Sequence, residues 1–412
     1  MMNGIGRRGF IRLAGGGVVL AALSACGGSA DDPRAAWTYP GAREADIRKR
    51  ALSFAILAPN PHNMQPWLAD LSEPDLITLY VDTGRVLPVT DPFNRQIVLG
   101  CGAFLELLRM AAAAEGVSAT VEPFPAGEPQ PRLDERPVAR VRFEPGGKPD
   151  PLFNQALNRR TNRQPFSDRI VPIWKAEKIV RAATAPLVSA GAALDEKRIE
   201  RLKVLVLEGA RIEANTPPAH EESVARTFIG AADVAEHRYG ISLEGGAIEG
   251  LHAVGLLTQE KMKEPGTFAF DQSLAFLKRA ADTARGFVWM TTAGDSRAEQ
   301  LAAGAAYLRA NLAATGLGLA MLPWSQLLQE YDTQKALFSA VHREFAPDGG
   351  RIQMLARIGY AKAVPPAPRR GVEAVVWRGC PPGIGPTSRS SPRSPSSTSW
   401  SPPGWNGRCP TA

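Results

Sequence analysis

An α+β fold is what this sequence predicts. Long helix-patterned runs alternate with short strand-like ones, a helix closed by Ala-Pro occurs twice, and 44% hydrophobic content in 412 residues can bury a full core. Residues 44–149 and 150–376 are expected to form two halves.

In chain order, "EADIRKRALSFAIL" carries apolar residues at helical spacing and ends at Pro59, which disfavours helix at Ala58. The loop "APNPHNMQPW" follows, then the strand-like "LITLYV", a helix from about Asn94 to Glu115, and the strand-like "SATVEPF" and "VARVRF". The second half opens with a short helix, "NRRTNRQPF" and the helix-patterned "PIWKAEKIVRAATAP". Helical patterns fill 197–239, and the Gly-punctuated stretch 240–270 has little periodicity, as in a lid. The run "GFVWMTT" reads as a buried strand; a helix from Arg297 to about Thr315, the breaker "GLGLAMLP", another helix and the strand "IQMLARIGY" complete the half. Ala58-Pro59 and Ala185-Pro186 each close a helix, and the polar loop after the first becomes "LVSAGAAL" after the second. This is either an internal repeat that has lost one polar loop or two ordinary helix ends.

The net charge of +7 belongs to the chain ends: three Arg in residues 1–25 and four in 377–412, with no Asp or Glu in either. The remainder balances 41 basic against 41 acidic residues, which gives no argument for nucleic acid. Residues 1–25 read as an export signal: Arg7-Arg8 is of twin-arginine type, and Leu23-Ser24-Ala25-Cys26 resembles a lipobox whose Cys26 becomes acylated. The expected location is the periplasmic or cell-surface side of a membrane, reached through a tether at 26–43. In residues 377–412, Pro, Ser and Gly make up 21 of 36 positions, a composition expected to be disordered. Cys101, inside an apolar run, reads as a small buried hydrophobe.

The five His at 62, 220, 237, 252 and 342 have no metal-ligand spacing, so no metal site is expected. No nucleophile elbow, phosphate loop or Gly-x-Gly-x-x-Gly occurs. Three polar clusters remain: the amide loop, "RRTNR" and Arg369-Arg370. Extended, the pentapeptide would aim Arg159, Thr161 and Arg163 to one side, a set that suits phosphate. Asn63 and Gln65 could meet the amide-like edge of a planar heterocycle, with Pro59, Pro61 and Pro66 stiffening the loop; a capped helix end would use the same residues.

Together "APNPHNMQPW", "RRTNR", "ATGLGLAM" and "RIGYAKAVPPAPRRGVEAVV" resemble the FMN-dependent nitroreductase family, in particular its Acg-type members, in which two nitroreductase-like halves are fused. The resemblance covers roughly residues 44–376. It implies a nitroreductase-like single-chain pseudo-dimer in which one half lends the amide loop to a flavin held by the other. Asn60, His62, Asn63 and Gln65 would then approach ring and ribityl, and Arg159, Thr161 and Arg163 would hold the tail. Gly316 and Gly318 would lie near the cofactor, and Arg369 with Arg370 would close on the phosphate. Asn60 stands where many members have Ser, and Gly371 where Pro is common. The implied activity is two-electron reduction of a nitroaromatic or quinone by NAD(P)H or another donor, with no catalytic side chain required because the flavin carries the chemistry. The alternatives are an exported protein that holds or sequesters FMN without turnover, and a cofactor-free solute-binding lipoprotein.

Overall fold

The computed structural model describes residues 32–377. The twin-arginine segment, Cys26 and the tail beyond Trp377 lie outside the described residues.

Helix α1 (Ile47–Ala55) starts on Asp46, whose carboxylate accepts the Arg48 amide at 2.8 Å, and it buries Ala51, Leu52 and Ala55. Strands β1 (Trp67–Asp70) and β2 (Leu76–Val81) follow, then α2 (Arg95–Ala114), β3 (Val117–Pro123) and β4 (Ala139–Pro145). The second half begins with α3 (Ile173–Ala183) and β5 (Ser189–Ala193). An excursion comes next: α4 (Glu196–Ala214), α5 (Pro217–Ala225), β6 (Thr227–Ile229), α6 (Ala231–His237), β7 (Ile241–Leu243), α7 (Gly246–Ala253), α8 (Gln259–Lys263) and α9 (Phe268–Asp282). The frame resumes with β8 (Phe287–Thr292), α10 (Arg297–Gly316), β9 (Ala320–Pro323), α11 (Lys335–Phe345) and β10 (Arg351–Gly359), and the described chain ends in β11 (Val376–Trp377).

One sheet has the order β11-β1-β2-β4-β3 and the other β5-β8-β10-β9. Without β11 the two are the same antiparallel pattern, first-second-fourth-third. In each, a helix precedes the first strand and a long helix joins the second to the third. The halves are therefore related, which decides for the internal repeat. They differ most between their first two strands: residues 71–75 suffice in the first half, whereas 194–286 intervene in the second.

The two long helices cross at paired glycines. A Cβ on Gly102 would stand 2.0 Å from the Leu301 carbonyl oxygen, and one on Gly304 would stand 1.9 Å from that of Leu99. Each glycine follows the clashing leucine of its own helix by three residues, so the crossing is pseudo-symmetric. Both helices are buried along most of their length. α2 alone among the described helices is long and apolar enough to cross a membrane, but 83% of that stretch is buried, which makes it a core helix. Cys101 in it is buried and free, and burial pushes its thiol up to about 12.

Two expectations need correction. "GLGLAMLP" contains β9, a strand of four residues made by pairing with β10 and too short to show periodicity. The 240–270 stretch contains β7, α7 and α8; in α7 only Ile248 and Leu251 pack, partly buried, against a small cluster, too narrow a stripe to betray the helix.

Candidate functional site

The amide loop leaves α1 and turns through left-handed backbone at three non-glycine residues, His62 (φ 44°), Asn63 (φ 53°) and Gln65 (φ 52°). Such geometry costs on the order of 1 kcal/mol or more per residue and persists only where surroundings over-determine it. They do so here through the side-chain amides. Asn60 accepts the Gln65 amide at 2.8 Å and donates to the Ala58 carbonyl at 3.2 Å. Asn63 donates to the Pro368 carbonyl at 3.1 Å and accepts from Arg369 at 2.7 Å. Fully buried Gln65 donates to the Arg238 carbonyl at 2.9 Å and accepts the Arg370 amide at 2.8 Å. All three amides thus bond to the chain itself, and their role in the geometry is to hold the loop.

The loop draws in both distant clusters. Arg159 and Arg369 each donate to the Leu57 carbonyl at 3.1 Å, and Arg369 also donates to that of Ala58 at 3.2 Å. Arg370 donates to the carbonyls of Gln65 at 3.2 Å and Ala374 at 2.7 Å. The first-half loop, the second-half pentapeptide and the C-terminal arginine pair therefore meet at one place.

The pentapeptide is not the straight ladder expected. The Arg159 amide still donates to the Gln155 carbonyl at 2.9 Å, closing a turn, and the chain extends only afterwards. Its buried positions are Arg159 and Asn162, the latter bonded to Met321 at 3.0 Å and Lys362 at 2.8 Å. Thr161 is half-buried and its hydroxyl has no hydrogen-bond partner among the described residues, whereas Arg163 is open to solvent on one side. Gly316 and Gly318 sit at the C-terminal end of α10, where a Cβ on Gly316 would be 3.4 Å from Gln155 and Gly318 has φ of +70°. No hydrogen bond joins either glycine to the amide loop.

Two contributors were not anticipated. Trp37, from the segment expected to be a tether, has its indole 4.7 Å from Arg160, 5.3 Å from Arg369 and 5.8 Å from Arg159, and its Nε1 donates to the Ala367 carbonyl at 2.9 Å. The ring face attracts these cations and offsets part of their mutual repulsion. Tyr307 on α10 is buried, and its phenol lies close enough to Arg159 and Arg163 to act on both electrostatically. A Tyr with an Asn four residues on, in an otherwise Ala-rich helix, was the available signal. The excursion, whose 240–270 stretch was expected as a lid, docks on the loop through Arg238 and through Gly240, whose amide donates to the Asn63 carbonyl at 3.2 Å.

The electrostatics are one-sided. Burial lowers the Arg159 pKa to about 10, opposed by Tyr307 and aided by Arg160. Burial, then Arg159 and Arg160, lower that of Arg369; burial also lowers Arg370. His62 falls to about 4, through burial first and then Arg163 and Arg226, so the imidazole is neutral near pH 7. Among the described residues no carboxylate pairs with Arg159, Arg160, Arg163, Arg369 or Arg370. Three buried nitrogens also lack partners: Arg159 Nη1, Arg369 Nε and His62 Nδ1. Buried cations without counter-charge are costly, so the arrangement calls for an anion.

The pseudo-symmetric position differs. Near the end of α3 stands Arg309 of α10, which donates to the Ala182 carbonyl at 3.2 Å and, by the Gly102–Gly304 register, corresponds to Leu107 and not to Arg159. Arg309 is, however, paired with Glu106 at 2.8 Å and Asp150 at 2.7 Å, and Glu106 also takes Arg109 at 2.8 Å. The chain's own carboxylates supply the negative charge at that end. No group of three or more potential metal ligands occurs among the described residues.

Fold and site together define a two-half α+β protein with a carboxylate-free arginine cluster where its halves meet. No protein-family model matches the chain. It is similar to the "Putative NAD(P)H nitroreductase acg" of Mycobacterium tuberculosis (strain ATCC 25618 / H37Rv), 34% identical over 165 residues, covering 38% of this chain and 46% of that protein. The match thus spans about half the length of that curated relative. A second relative of the same strain, "Putative NAD(P)H nitroreductase Rv3131", is 27% identical over 341 residues, 81% of this chain and 92% of that protein. The nitroreductase-like, two-half fold class expected from the sequence stands with a relative that runs nearly the full described length. Among solved structures, the FMN and NADPH-dependent nitroreductase NfnB from sphigopyxis sp. strain HMH aligns with TM-score 0.35 and 18% identity, over 56% of this chain and 99% of that one. A nitroreductase with bound FMN from Bacteroides fragilis NCTC 9343 aligns with TM-score 0.30 and 14% identity, over 52% and 89%.

Proposed function

We propose that this chain binds one FMN in the cleft between its halves and acts as a nitroreductase-type oxidoreductase, passing two electrons from NAD(P)H or another donor to an electron-poor acceptor such as a nitroaromatic or quinone. The observation that carries this reading is the carboxylate-free arginine cluster, with Arg159 Nη1 and Arg369 Nε buried and unpartnered. A phosphate fits that donor set, since guanidinium forks match its oxygens and its charge offsets the arginines. The relatives' names point the same way.

In this reading Arg159 and Arg369 hold the phosphate, with Thr161 and Arg163 beside them along the tail. Asn60, Asn63 and Gln65 keep the loop in its left-handed turns, so that its backbone and neutral His62 face the ring. Arg370 braces Gln65 from behind, and Gly316 and Gly318 leave room at the end of α10. Bound flavin supplies the two-electron chemistry; the side chains supply position and field.

One observation favours holding without turnover. The excursion lies directly on the loop, through the bonds of Arg238 and Gly240. Anaerobic addition of NADPH to FMN-loaded protein separates the readings: loss of the flavin's visible absorption, regained when a nitroaromatic is added, is expected for the enzyme. Persistent colour would mean that the flavin is sequestered. Protein that takes up no FMN would leave only the solute-binding alternative.

A further inference from the structure

Arg226, at the C-terminal end of α5, belongs to neither arginine cluster and plays no part in the cofactor reading. Two consecutive amides fix it beside the amide loop. Gly240 N donates to the Asn63 carbonyl at 3.2 Å, and Ile241 N donates to the Arg226 carbonyl at 2.7 Å. Gly240 has φ of +79°, and a Cβ there would stand 2.4 Å from the Phe228 ring and 2.7 Å from the Arg226 carbonyl oxygen, so the close approach requires glycine.

The Arg226 guanidinium makes no hydrogen bond or ion pair among the described residues, and its Nε is buried without a partner. So is Nδ1 of His62, next in sequence to the residue that Gly240 binds. Glu222, four residues earlier on α5, accepts the Val89 and Thr90 amides at 3.2 and 2.8 Å and makes no ion pair with Arg226. A cation held beside the amide loop without a protein counter-ion is placed to meet a charge on an incoming molecule.

We infer that Arg226, held over the amide loop beside His62, is a specificity-determining residue that receives an anionic group, such as a carboxylate, on the electron acceptor. The inference rests on the flavin reading for its reacting partner. Because Arg226 comes from the excursion, which the first half lacks, it belongs to what is particular to this chain and not to the duplicated frame.

The test compares 4-nitrobenzoate with 4-nitrobenzamide, equal in reducible group and different in charge, on FMN-loaded wild type, Arg226→Ala and Arg226→Lys. Arg226→Ala should lower kcat/KM for nitrobenzoate about thirtyfold, mainly through KM, as expected for loss of a partly desolvated charge partner. Nitrobenzamide should change less than about threefold, and Arg226→Lys should recover most of the loss, since the charge is kept and only the fork is removed. Equal losses on both probes, or a wild type that does not favour nitrobenzoate, would overturn the inference. Isothermal titration with the two probes gives the same comparison on protein that does not turn over or carries no flavin. Failure to take up FMN then counts against the proposed function, while absence of charge discrimination counts against Arg226.

Discussion

Arg159→Ala is expected to weaken FMN binding by about 2–5 kcal/mol while leaving riboflavin affinity little changed. Arg159 is 3% exposed, its guanidinium has one hydrogen bond to the Leu57 carbonyl, and it keeps a buried nitrogen without a partner. In the proposed reading that nitrogen is free to meet the phosphate. Arg159 is also a better probe than Arg369, whose Nη atoms carry four hydrogen bonds to Asn63, Pro368, Leu57 and Ala58. Removing Arg369 would release the loop as well as the anion and confound the two. Titration of each flavin into wild type and variant checks the result; parallel losses for FMN and riboflavin would place the phosphate elsewhere.

Gly102→Val should destabilise the whole domain by about 3 kcal/mol or more, the upper end of overpacking effects. Its new Cβ would stand 2.0 Å from a backbone carbonyl oxygen, and no rotamer change relieves a clash with backbone. The helices would have to part, opening both cores along their common seam. Gly250→Ala provides the control, because a Cβ there meets nothing within 4 Å and replaces a helical glycine. Urea unfolding midpoints test the pair: a large fall is expected for Gly102→Val, and no loss for Gly250→Ala.

Much of the frame was legible because long amphipathic or apolar helices announce themselves. The run expected from Asn94 to Glu115 is α2, and the one expected from Arg297 is α10, opened by a capping box between Ser296 and Glu299. β5 was not legible. "SAGAA" has no β-branched residue, and Gly191 is small because a Cβ there would stand 2.5 Å from the Trp289 ring across the sheet. A constraint imposed by a strand about a hundred residues away cannot be read locally.

The site divides in the same way. The amide loop, the pentapeptide and Arg369-Arg370 stand out by composition, and the structure brings them together. What the amides bond to does not show in sequence, since the partners of Asn63 and Gln65 lie at Arg238 and in the Pro368–Arg370 segment. Trp37 looked like part of a tether because the partners of its indole are distant residues, Arg159, Arg160, Ala367 and Arg369. The counter-charges of Arg309 are likewise a matter of packing: Glu106 and Asp150 are separated from it by 203 and 159 residues.

That difference between the two ends of the pseudo-symmetric frame is the centre of the account. One end has the amide loop and buried arginines that lack a counter-ion; at the other the chain after α3 runs "LVSAGAAL", without Asn, Gln or His, and Arg309 nearby is already paired with Glu106 and Asp150. Counting FMN released by denaturation against protein concentration, after loading and removal of excess, tests this most directly. The account predicts a ratio near one per chain, falling toward zero in Arg159→Ala and unchanged in Arg309→Lys. A ratio near two in the wild type, or flavin lost on changing Arg309 and kept on changing Arg159, would contradict it.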